Sequence, residues 1–405
     1  MRTITKMINP SVSEEIGCDA VNPVTELSVN EKRFIEKIKN DMEFIRPYIY
    51  QMDRNAVIDG DVLHMLREKG YFSLEIEKRY GGLEMSFFNV ILAIEHISAI
   101  DSSVGAFVDV QNTLVNNVFT LYGNEEQKEK YLKMLASDSM GAFAITEKQA
   151  GSNVTAMESF VEEKEDCFIL NGDKHWITSA KEADIFVVFA NTLSGKRTTV
   201  SAFILERGMD GFSIGESYEK TGIRASSTCD LTFDNVRIPK ENLLTVKGNG
   251  LRIAMNILEG GRLGIAAQTL GLAEGAFEET VKYTNSRVQS GNAISSYQGV
   301  NFRIAQIATE IEAAKTMLYN ITRKRSINPD FTSRLHDASM AKLFCSQVAD
   351  RTVSQCVELI GGNAYMKENP VEKFYRDVKI GTIYEGTANV QLMTIAKKYC
   401  KRSRA

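Results

Sequence analysis

Residues 383–387, near the C-terminus, place the carboxylate of Glu385 between apolar residues and a glycine. A carboxylate held in a water-poor pocket has a raised pKa and can act as a base near neutral pH. The alternative is a glutamate in an exposed loop, which would have no such role. The chemistry that this segment offers is the removal of a weakly acidic proton, provided that the fold buries the carboxylate.

Two further segments contain groups suited to holding a polar or flat ligand. Residues 144–153 combine hydroxyls, an amide and Gly151; such a loop can cradle a polar ligand with backbone N–H groups, or it can be an ordinary solvated loop. Trp176 is the only tryptophan of the chain, and Thr178 follows two residues later on the same face of a strand. The pair could present an aromatic plane and a hydroxyl to a flat ring, whereas the alternative is a tryptophan in the core.

The composition excludes several classes of protein. The chain has 405 residues, of which 43% are hydrophobic and 25% charged, so it has the apolar content to fold into two or three structural units. With 48 basic and 52 acidic residues it offers no surface for a polyanion, and no nucleic acid partner is expected. Six scattered cysteines without a Cys-x-x-Cys pair and four isolated histidines predict no metal site.

The N-terminus and the lengths of the apolar runs bear on location. Arg2 and Lys6 are followed by Glu14 and Glu15 without an apolar stretch, a pattern that is not typical of a secretory signal or a transit peptide. No run of about 18 apolar residues occurs, so no membrane span is expected. We therefore predict a cytosolic protein with reduced cysteines.

The hydrophobic periodicity changes from helical to β and back along the chain. Ser28 and Glu31 form a capping box in front of a helical repeat, and helical repeats continue through the first third. In the middle third, Asn171 and Gly172 predict a two-residue hairpin turn between two strands. The continuous apolar run 185–189 predicts a strand buried on both faces. The middle third is therefore expected to be mainly β.

Long helices are predicted for the last third. Residues 263–281, 304–321 and 333–360 repeat an apolar residue every three or four positions, and the last repeat stops at Gly361 and Gly362. The predicted fold class is α+β. It divides into a flexible lead-in (1–27), an N-terminal helical domain (28–142), a middle β-domain (143–245) and a C-terminal helical domain (246–405).

A series of motifs occurs in a fixed order along the chain: Tyr80-Gly81-Gly82, Thr146-Glu147 with Ala150-Gly151-Ser152, Trp176-Ile177-Thr178, residues 222–228, Gly260-Gly261-Arg262, Gly361-Gly362, Arg376-Asp377 and residues 383–387. Together they resemble the acyl-CoA dehydrogenase family, flavoproteins that introduce an α,β double bond into acyl thioesters. The resemblance covers about residues 28–398. It implies an N-terminal helical domain, a middle β-barrel-like domain and a C-terminal four-helix bundle.

The resemblance also implies roles for individual residues. Glu385 is similar to the catalytic base that removes the α-proton while the β-hydrogen leaves as hydride to FAD. Some relatives carry the base on the long helix instead, just before the arginine; here that position is Gly261, which cannot serve. The implied FAD contacts are Phe143, Ile145, Thr146, Gly151, Ser152, Trp176, Ile177, Thr178, Thr387 and Asn389, with Arg287, Gln298, Glu358, Gly361 and Gly362 reaching the FAD of a neighbouring subunit. The implied substrate contacts are Ser152, Glu259, Gly261, Arg262 and Gly386.

The subgroup and the partners are implied in the same way. Glu358, Asn389, the stretch 224–231 and the ending 389–397 resemble the short/branched-chain subgroup, which favours 2-methyl-branched or short straight acyl chains. Cofactor sites shared between subunits imply a homo-oligomer, in this family usually a tetramer. The implied electron acceptor is an electron-transferring flavoprotein.

Two departures from the family pattern keep a non-redox interpretation open, and a separate alternative concerns the carrier of the acyl group. Many members have aspartate where this chain has Asn153, and phenylalanine where it has Ser290. One alternative is a biosynthetic dehydrogenase whose acyl thioester is tethered to a carrier protein, since the pantetheine arm is the same. The other is a scaffold of similar fold that binds acyl thioesters or partner proteins without redox chemistry.

Overall fold

Helical, β and helical segments follow one another along the chain, as the periodicities predict. The computed structural model describes residues 25–194, 197–328 and 330–400. The predicted lead-in, 1–27, lies outside the described residues except for its last three. The first strand begins at Gly141 and the first long C-terminal helix at Gly250, close to the expected boundaries at 143 and 246.

The N-terminal part begins with the predicted capping box. The Ser28 hydroxyl accepts from the backbone N–H of Glu31, whose carboxylate accepts from the Ser28 N–H at 2.7 Å. The helices that follow are α1 (Val29–Glu43), α2 (Ile49–Asn55), α3 (Gly60–Glu68), α4 (Phe87–Ser98), α5 (Ser102–Asp109), α6 (Asn117–Tyr122), α7 (Glu125–Gln127) and α8 (Lys133–Ala136), with π-helical segments at Val110–Asn116 and Lys128–Leu132 and 3₁₀ turns at Arg46–Tyr48 and Lys78–Tyr80. A π-helix is rare and is often found at functional sites.

The middle part is a seven-stranded sheet. Its strands are β1 (Gly141–Ala144), β2 (Phe160–Glu163), β3 (Cys167–Thr178), β4 (Ile185–Ser194), β5 (Arg197–Glu206), β6 (Phe212–Ile214) and β7 (Thr228–Pro239). The hydrogen-bonded order is β1-β4-β2-β3-β7-β6, and β5 also pairs with β4. The run 185–189 is fully buried and pairs with β1 and β5, which confirms its prediction as a strand covered on both faces.

The predicted hairpin turn at Asn171 and Gly172 is wrong, because β3 continues through both residues. The register of β3 on β7 shifts at this point, so the two residues form a bulge rather than a turn. Gly172 has φ 132°, and a β-carbon there would lie 2.7 Å from Cα of Ser159. The glycine is needed for this close approach of backbone, and a local turn signal was overridden by pairing within the sheet.

The C-terminal part is a bundle of long helices. It contains α9 (Gly250–Ser286), α10 (Gln298–Arg325), α11 (Phe331–Ile360), α12 (Pro370–Asp377) and α13 (Ala388–Tyr399), with the short hairpin β8 (Val288–Gln289) and β9 (Asn292–Ala293) between α9 and α10. Helix α11 packs against α9, α10 and α13, and its C-cap is Gly361, which has φ 75°. Within the described part of the chain, no helix has the length and apolar character needed to cross a membrane.

The three parts share hydrophobic cores rather than forming separate globules. Helix α4 packs on α9, and their buried residues belong to one core with α10 and α11. A second core joins the π-helix Val110–Asn116, one side of the sheet and the beginning of α9. The π-helix and α9 therefore meet next to the sheet, which is where the candidate site lies.

Candidate active site

Glu385 lies in the turn between the 3₁₀ helix Val378–Thr382 and α13. Its φ is 52° and that of Gly386 is 89°, so both residues are in the left-handed region. For a residue other than glycine such a backbone costs about 1–3 kcal/mol and persists only where the surroundings enforce it. The Oε2 of Glu385 is buried and has no hydrogen-bond partner among the described residues, which is unusual for a carboxylate.

Two buried side chains hold this turn in place. The Nε2 of Gln391 donates to the carbonyl of Glu385 at 3.0 Å and to that of Gly386 at 2.8 Å. The Nζ of Lys342 on α11 donates to the same Gly386 carbonyl at 2.9 Å. Thr387 caps α13 by accepting from the N–H of Val390. The turn is therefore fixed from within α13 and from α11.

The carboxylate of Glu385 faces the middle of α9. A β-carbon at Gly261 would lie 2.8 Å from Oε2 of Glu385 and 2.8 Å from Cδ2 of Leu114, a residue of the π-helix. Next to it on α9, Arg262 is buried and donates through Nη1 to Oγ of Ser339 at 2.8 Å. The Nε of Arg262 has no described partner. Apolar packing and a buried cation thus surround the carboxylate.

The pKa values at this position follow from burial. Burial raises the pKa of Glu385 to about 7, while the positive charges of Arg262 and Lys342 act in the opposite direction. Burial lowers the pKa of Lys342 to about 8, although the carboxylate of Glu385 opposes this. A carboxylate with a pKa near neutrality and no hydrogen-bond partner has the properties of a general base.

A second buried carboxyl group belongs to Asp109, at the end of α5. Its Oδ1 accepts from the hydroxyl of Thr113 at 2.8 Å, and a β-carbon at Gly264 would lie 1.9 Å from the same atom. Burial raises the pKa of Asp109 well above its ordinary value, which favours the neutral form of the carboxyl group. Gly261 and Gly264 are one turn apart on α9, so both acids contact the same face of this helix.

The tyrosine before the base is fixed as well. The hydroxyl of Tyr384 donates to Oε1 of Gln268 on α9, and Nε2 of Gln268 donates to the carbonyl of Ser102 at 2.9 Å. This chain of contacts ties the turn to α9 and to the N-terminal helices.

The predicted ring-binding residues of the sheet form a second group. The indole of Trp176 is 50% exposed, so the tryptophan is not in the core, and its φ of 58° lies at a register shift of β3. Thr178 is half-buried, while Ile177 between them is buried. The N–H of His175 donates to the carbonyl of Thr146 at 2.9 Å, which joins the loop after β1 to β3.

The residues of β1 and of the following loop differ in exposure. The side chain of Phe143 is buried and packs on Phe189, with ring centroids 4.9 Å apart, and Ile145 is also buried. The FAD contact of Phe143 stays a prediction, and the burial of the side chain leaves the backbone of this residue for such a contact. Gly151 and Ser152 are exposed in the loop.

A third group lines a cavity of about 440 Å³ at the end of α9. Arg287 and Gly362 both line it, and β-carbons at Gly361 or Gly362 would meet no described atom within 4 Å. Gln298 is exposed at the start of α10, and Glu358 forms an ion pair with Arg303 at 2.5 Å. The lining of this cavity includes none of the described residues around Glu385.

The remaining predicted residues have simpler surroundings. Glu259 is buried and forms an ion pair with Arg325 at 3.1 Å, and Arg334 lies 3.9 Å away. Asn389 is exposed on the first turn of α13. The structure therefore brings Glu385, Gly386, Gly261 and Arg262 together but not the residues of the cavity.

Sequence reasoning missed three residues of the site: Lys342, Gln391 and Asp109. Lys342 had a detectable signal, because it falls on the apolar face of α11 in register with Ala338 and Cys345. A lysine at such a position needs a buried partner. Asp109 carries the same kind of signal, a polar residue within a buried helical segment, whereas Gln391 lies on the largely exposed helix α13 and carries no such signal.

A further cluster consists of Glu95, His96 and Glu274, whose potential ligand atoms lie within 4.8 Å of one another. Lys315 forms an ion pair with Glu274, and its Nζ lies 3.5 Å from Glu95. The hydroxyl of Tyr319 donates to Glu95 at 3.0 Å. The ammonium group already supplies the positive charge that a metal ion would bring.

Comparison with known proteins assigns the chain to a protein family. Sequence profiles of the acyl-CoA dehydrogenase N-terminal, middle and C-terminal domains match residues 40–139, 142–236 and 248–400. A short/branched chain specific acyl-CoA dehydrogenase, mitochondrial, of Rattus norvegicus is 41% identical over 96% of this chain and 89% of its own length. The chain belongs to the acyl-CoA dehydrogenase family.

Solved structures agree with this acyl-CoA dehydrogenase fold. Butyryl-CoA dehydrogenase of Megasphaera elsdenii is 35% identical, with a TM-score of 0.89 over 93% of this chain and 99% of its own. A chain from a structure of the electron transferring flavoprotein of Acidaminococcus fermentans is 36% identical, also with a TM-score of 0.89, over 93% and 99%. The predicted helical, β-barrel-like and helical-bundle organisation is confirmed as that of an acyl-CoA dehydrogenase.

Proposed function

We propose that this protein is an FAD-dependent dehydrogenase of short or 2-methyl-branched acyl-CoA thioesters, with Glu385 as its catalytic base. The observation that carries the proposal is the buried, unpartnered Oε2 of Glu385. The substrate class is supported by the short/branched-chain relative at 41% identity.

The reaction removes two hydrogens from adjacent carbons of the acyl chain. Oε2 of Glu385 takes the α-proton, and the C–H electron pair released there forms the new double bond as the β-hydrogen leaves with its own pair. When bound, FAD supplies the acceptor for this hydride. The α-proton of a thioester is weakly acidic, so a base with a pKa of about 7 in a water-poor site suits the step.

The residues of this chain fit a flavin of extended shape. The half-exposed indole of Trp176 offers an aromatic plane, and Thr178 beside it offers a hydroxyl. The part of FAD that lies against the sheet would be held by two further groups. These are the backbones of Phe143, Ile145, Thr146 and Ile177, and the residues Gly151 and Ser152 of the exposed loop. Thr387 and Asn389 would complete the site next to the base. The substrate would contact Ser152, Gly261, Arg262, Gly386 and the backbone at Glu259, whose carboxylate is engaged by Arg325.

A second copy of the chain would complete the cofactor site. The cavity lined by Arg287 and Gly362 shares no lining residue with the surroundings of Glu385, and a β-carbon at Gly362 would meet no described atom within 4 Å. We infer that this cavity, with Gln298, Glu358 and Gly361 near it, holds the distal part of a neighbouring subunit's FAD. This arrangement requires a homo-oligomer, and we propose a tetramer.

We further propose that an electron-transferring flavoprotein reoxidises the enzyme, since a structure described by that partner's name is among the similar ones. The two alternatives that the sequence left open are not favoured, because relatives at 41% and 39% identity are named as acyl-CoA dehydrogenases. The cytosolic location stays a prediction that cell fractionation can test.

Anaerobic reduction of the purified flavoprotein tests the proposal. Butyryl-, isobutyryl- and 2-methylbutyryl-CoA should bleach the flavin absorbance, octanoyl-CoA should be slower, and the Glu385→Gln protein should bind FAD but not be bleached. Bleaching of Glu385→Gln at the unchanged rate would show that another group is the base. A purified protein without stoichiometric FAD would contradict the redox function itself.

A further inference from the structure

A fully buried lysine supports the turn that carries Glu385. Lys342 has no exposed surface, and the negative charge that acts on it among the described residues is that of Glu385. Its one described hydrogen bond goes to the carbonyl of Gly386, 44 residues further along the chain. Burying an ammonium group costs free energy unless it is paired, so the position needs an explanation.

The contact of Lys342 falls on the most constrained backbone of the site. Glu385 and Gly386 are both left-handed, and their two carbonyls converge on Nε2 of Gln391. Lys342 approaches the second of these carbonyls from a different helix. Two buried donors, one from α13 and one from α11, therefore hold the backbone from which the Glu385 side chain projects.

The charges around Glu385 come from three further segments. Arg262 on α9 and Lys342 on α11 are the two cations that act on its carboxylate. Burial raises the pKa of Asp109 on α5, which favours its neutral form, and Tyr384 in the turn itself donates its hydroxyl to Gln268. Since Arg262 is tied to Ser339 through its guanidinium, Lys342 is the cation attached to the turn itself.

We propose that Lys342 is a positioning residue: it fixes the turn through the Gly386 carbonyl and supplies a buried positive charge that favours the ionised form of Glu385. The inference rests on the proposed role of Glu385 as base. It assigns to Lys342 two separable effects, one on geometry and one on charge.

Three variants separate these effects. Lys342→Met loses the hydrogen bond and the charge, Lys342→Gln keeps an amide donor but loses the charge, and Gln391→Met loses hydrogen bonds to the turn but leaves the charge. The exposed Lys164→Met in the β2–β3 hairpin is the matched control. Each protein is measured for FAD content, melting temperature and the rate of flavin reduction by butyryl-CoA and 2-methylbutyryl-CoA from pH 5.5 to 9.

The expected results differ between the variants. In Lys342→Met and Lys342→Gln the pH of half-maximal rate moves upward by roughly one unit, because the carboxylate loses a stabilising opposite charge. In Gln391→Met the profile keeps its position. The maximal rate falls about 10- to 100-fold in Lys342→Met and Gln391→Met, where the base is misplaced, and less in Lys342→Gln.

The outcomes that overturn the inference are distinct from those that overturn the proposed function. If Lys342→Met and Lys342→Gln keep the wild-type rate and profile while Glu385→Gln is inactive, Lys342 has no positioning role. If Glu385→Gln retains activity, the proposed base is wrong. Should Lys342→Met fail to fold with FAD, Lys342→Gln decides: a profile that stays in place contradicts the proposal.

Discussion

Gly261 of α9 lies so close to Glu385 that a β-carbon at position 261 would be 2.8 Å from Oε2 of the carboxylate. Contacts under about 3.0 Å are not made by real β-carbons, so any side chain here must displace either Glu385 or Leu114. The absence of a side chain at this position creates the space in which the carboxylate stands.

Gly261→Ala should therefore lose activity without losing stability. Replacing a helix-interior glycine by alanine ordinarily stabilises a protein by about 0.5–1 kcal/mol, which offsets the local crowding. We expect the rate of flavin reduction to fall at least about tenfold, as for a reacting group displaced by a fraction of an ångström to an ångström, with little change in melting temperature. Gly60→Ala on α3, where a β-carbon would meet no described atom within 4 Å, is the matched control and should keep full activity. Wild-type activity of Gly261→Ala would mean that Glu385 does not react from this position.

The pH dependence of the free enzyme should report Glu385. Burial raises its pKa to about 7, and the base works only when it is deprotonated. The value of kcat/KM for flavin reduction should therefore rise with pH through about pH 7 and then level off. Stopped-flow reduction from pH 5.5 to 8.5 measures it. A profile that is flat, or that falls over this range, would contradict an ionising base at this site.

Trp176 should matter for the flavin and not for the fold. A tryptophan in a core costs about 3–5 kcal/mol when truncated to alanine, but this indole is 50% exposed and loses few contacts. We expect Trp176→Ala to lower the FAD-to-protein ratio and the affinity for added FAD, while the melting temperature of the apoprotein changes little. Trp176→Phe keeps an aromatic plane and should retain more FAD. A large drop in the melting temperature of the Trp176→Ala apoprotein would show that Trp176 has a structural role.

Sequence patterns between neighbouring residues predicted the helices of this fold well. They failed where the structure of a segment is set by its pairing with residues far away in the sequence. The Ser28–Glu31 capping box and the repeat in α11 are formed by neighbours in sequence, so the sequence contains all that they need. The Asn171-Gly172 turn signal was overridden because β3 pairs with β7 along its length, and Gly172 serves the contact with Ser159.

The same distinction applies to the site. Glu385 was predictable because its neighbours form a motif within five residues. The support that Lys342 gives to the turn was not predictable, because its contact with Gly386 spans 44 residues and depends on how α11 packs against the turn. Periodicity indicates that a polar residue falls on a buried face, but it does not indicate which group it meets.

Asp109→Asn should stabilise the protein increasingly as the pH rises. Burial raises the pKa of Asp109 well above its ordinary value in the folded protein, whereas the unfolded chain ionises it near pH 4. The folded state then binds the extra proton, so wild-type stability falls as the pH rises above the unfolded value. Asparagine keeps an oxygen that accepts from the Thr113 hydroxyl. Because asparagine cannot ionise, the variant does not lose stability in this way as the pH rises.

The melting temperature of Asp109→Asn relative to wild type should therefore be higher at pH 8 than at pH 5. Scanning calorimetry at several pH values measures the difference, and Asp210→Asn, at an exposed position, controls for the loss of one surface charge. A difference that stays constant, or that shrinks as the pH rises, would mean that Asp109 is ionised in the folded protein. A second negative charge would then face α9 one turn from the carboxylate of Glu385, and the two cations at Arg262 and Lys342 would have to balance both acids.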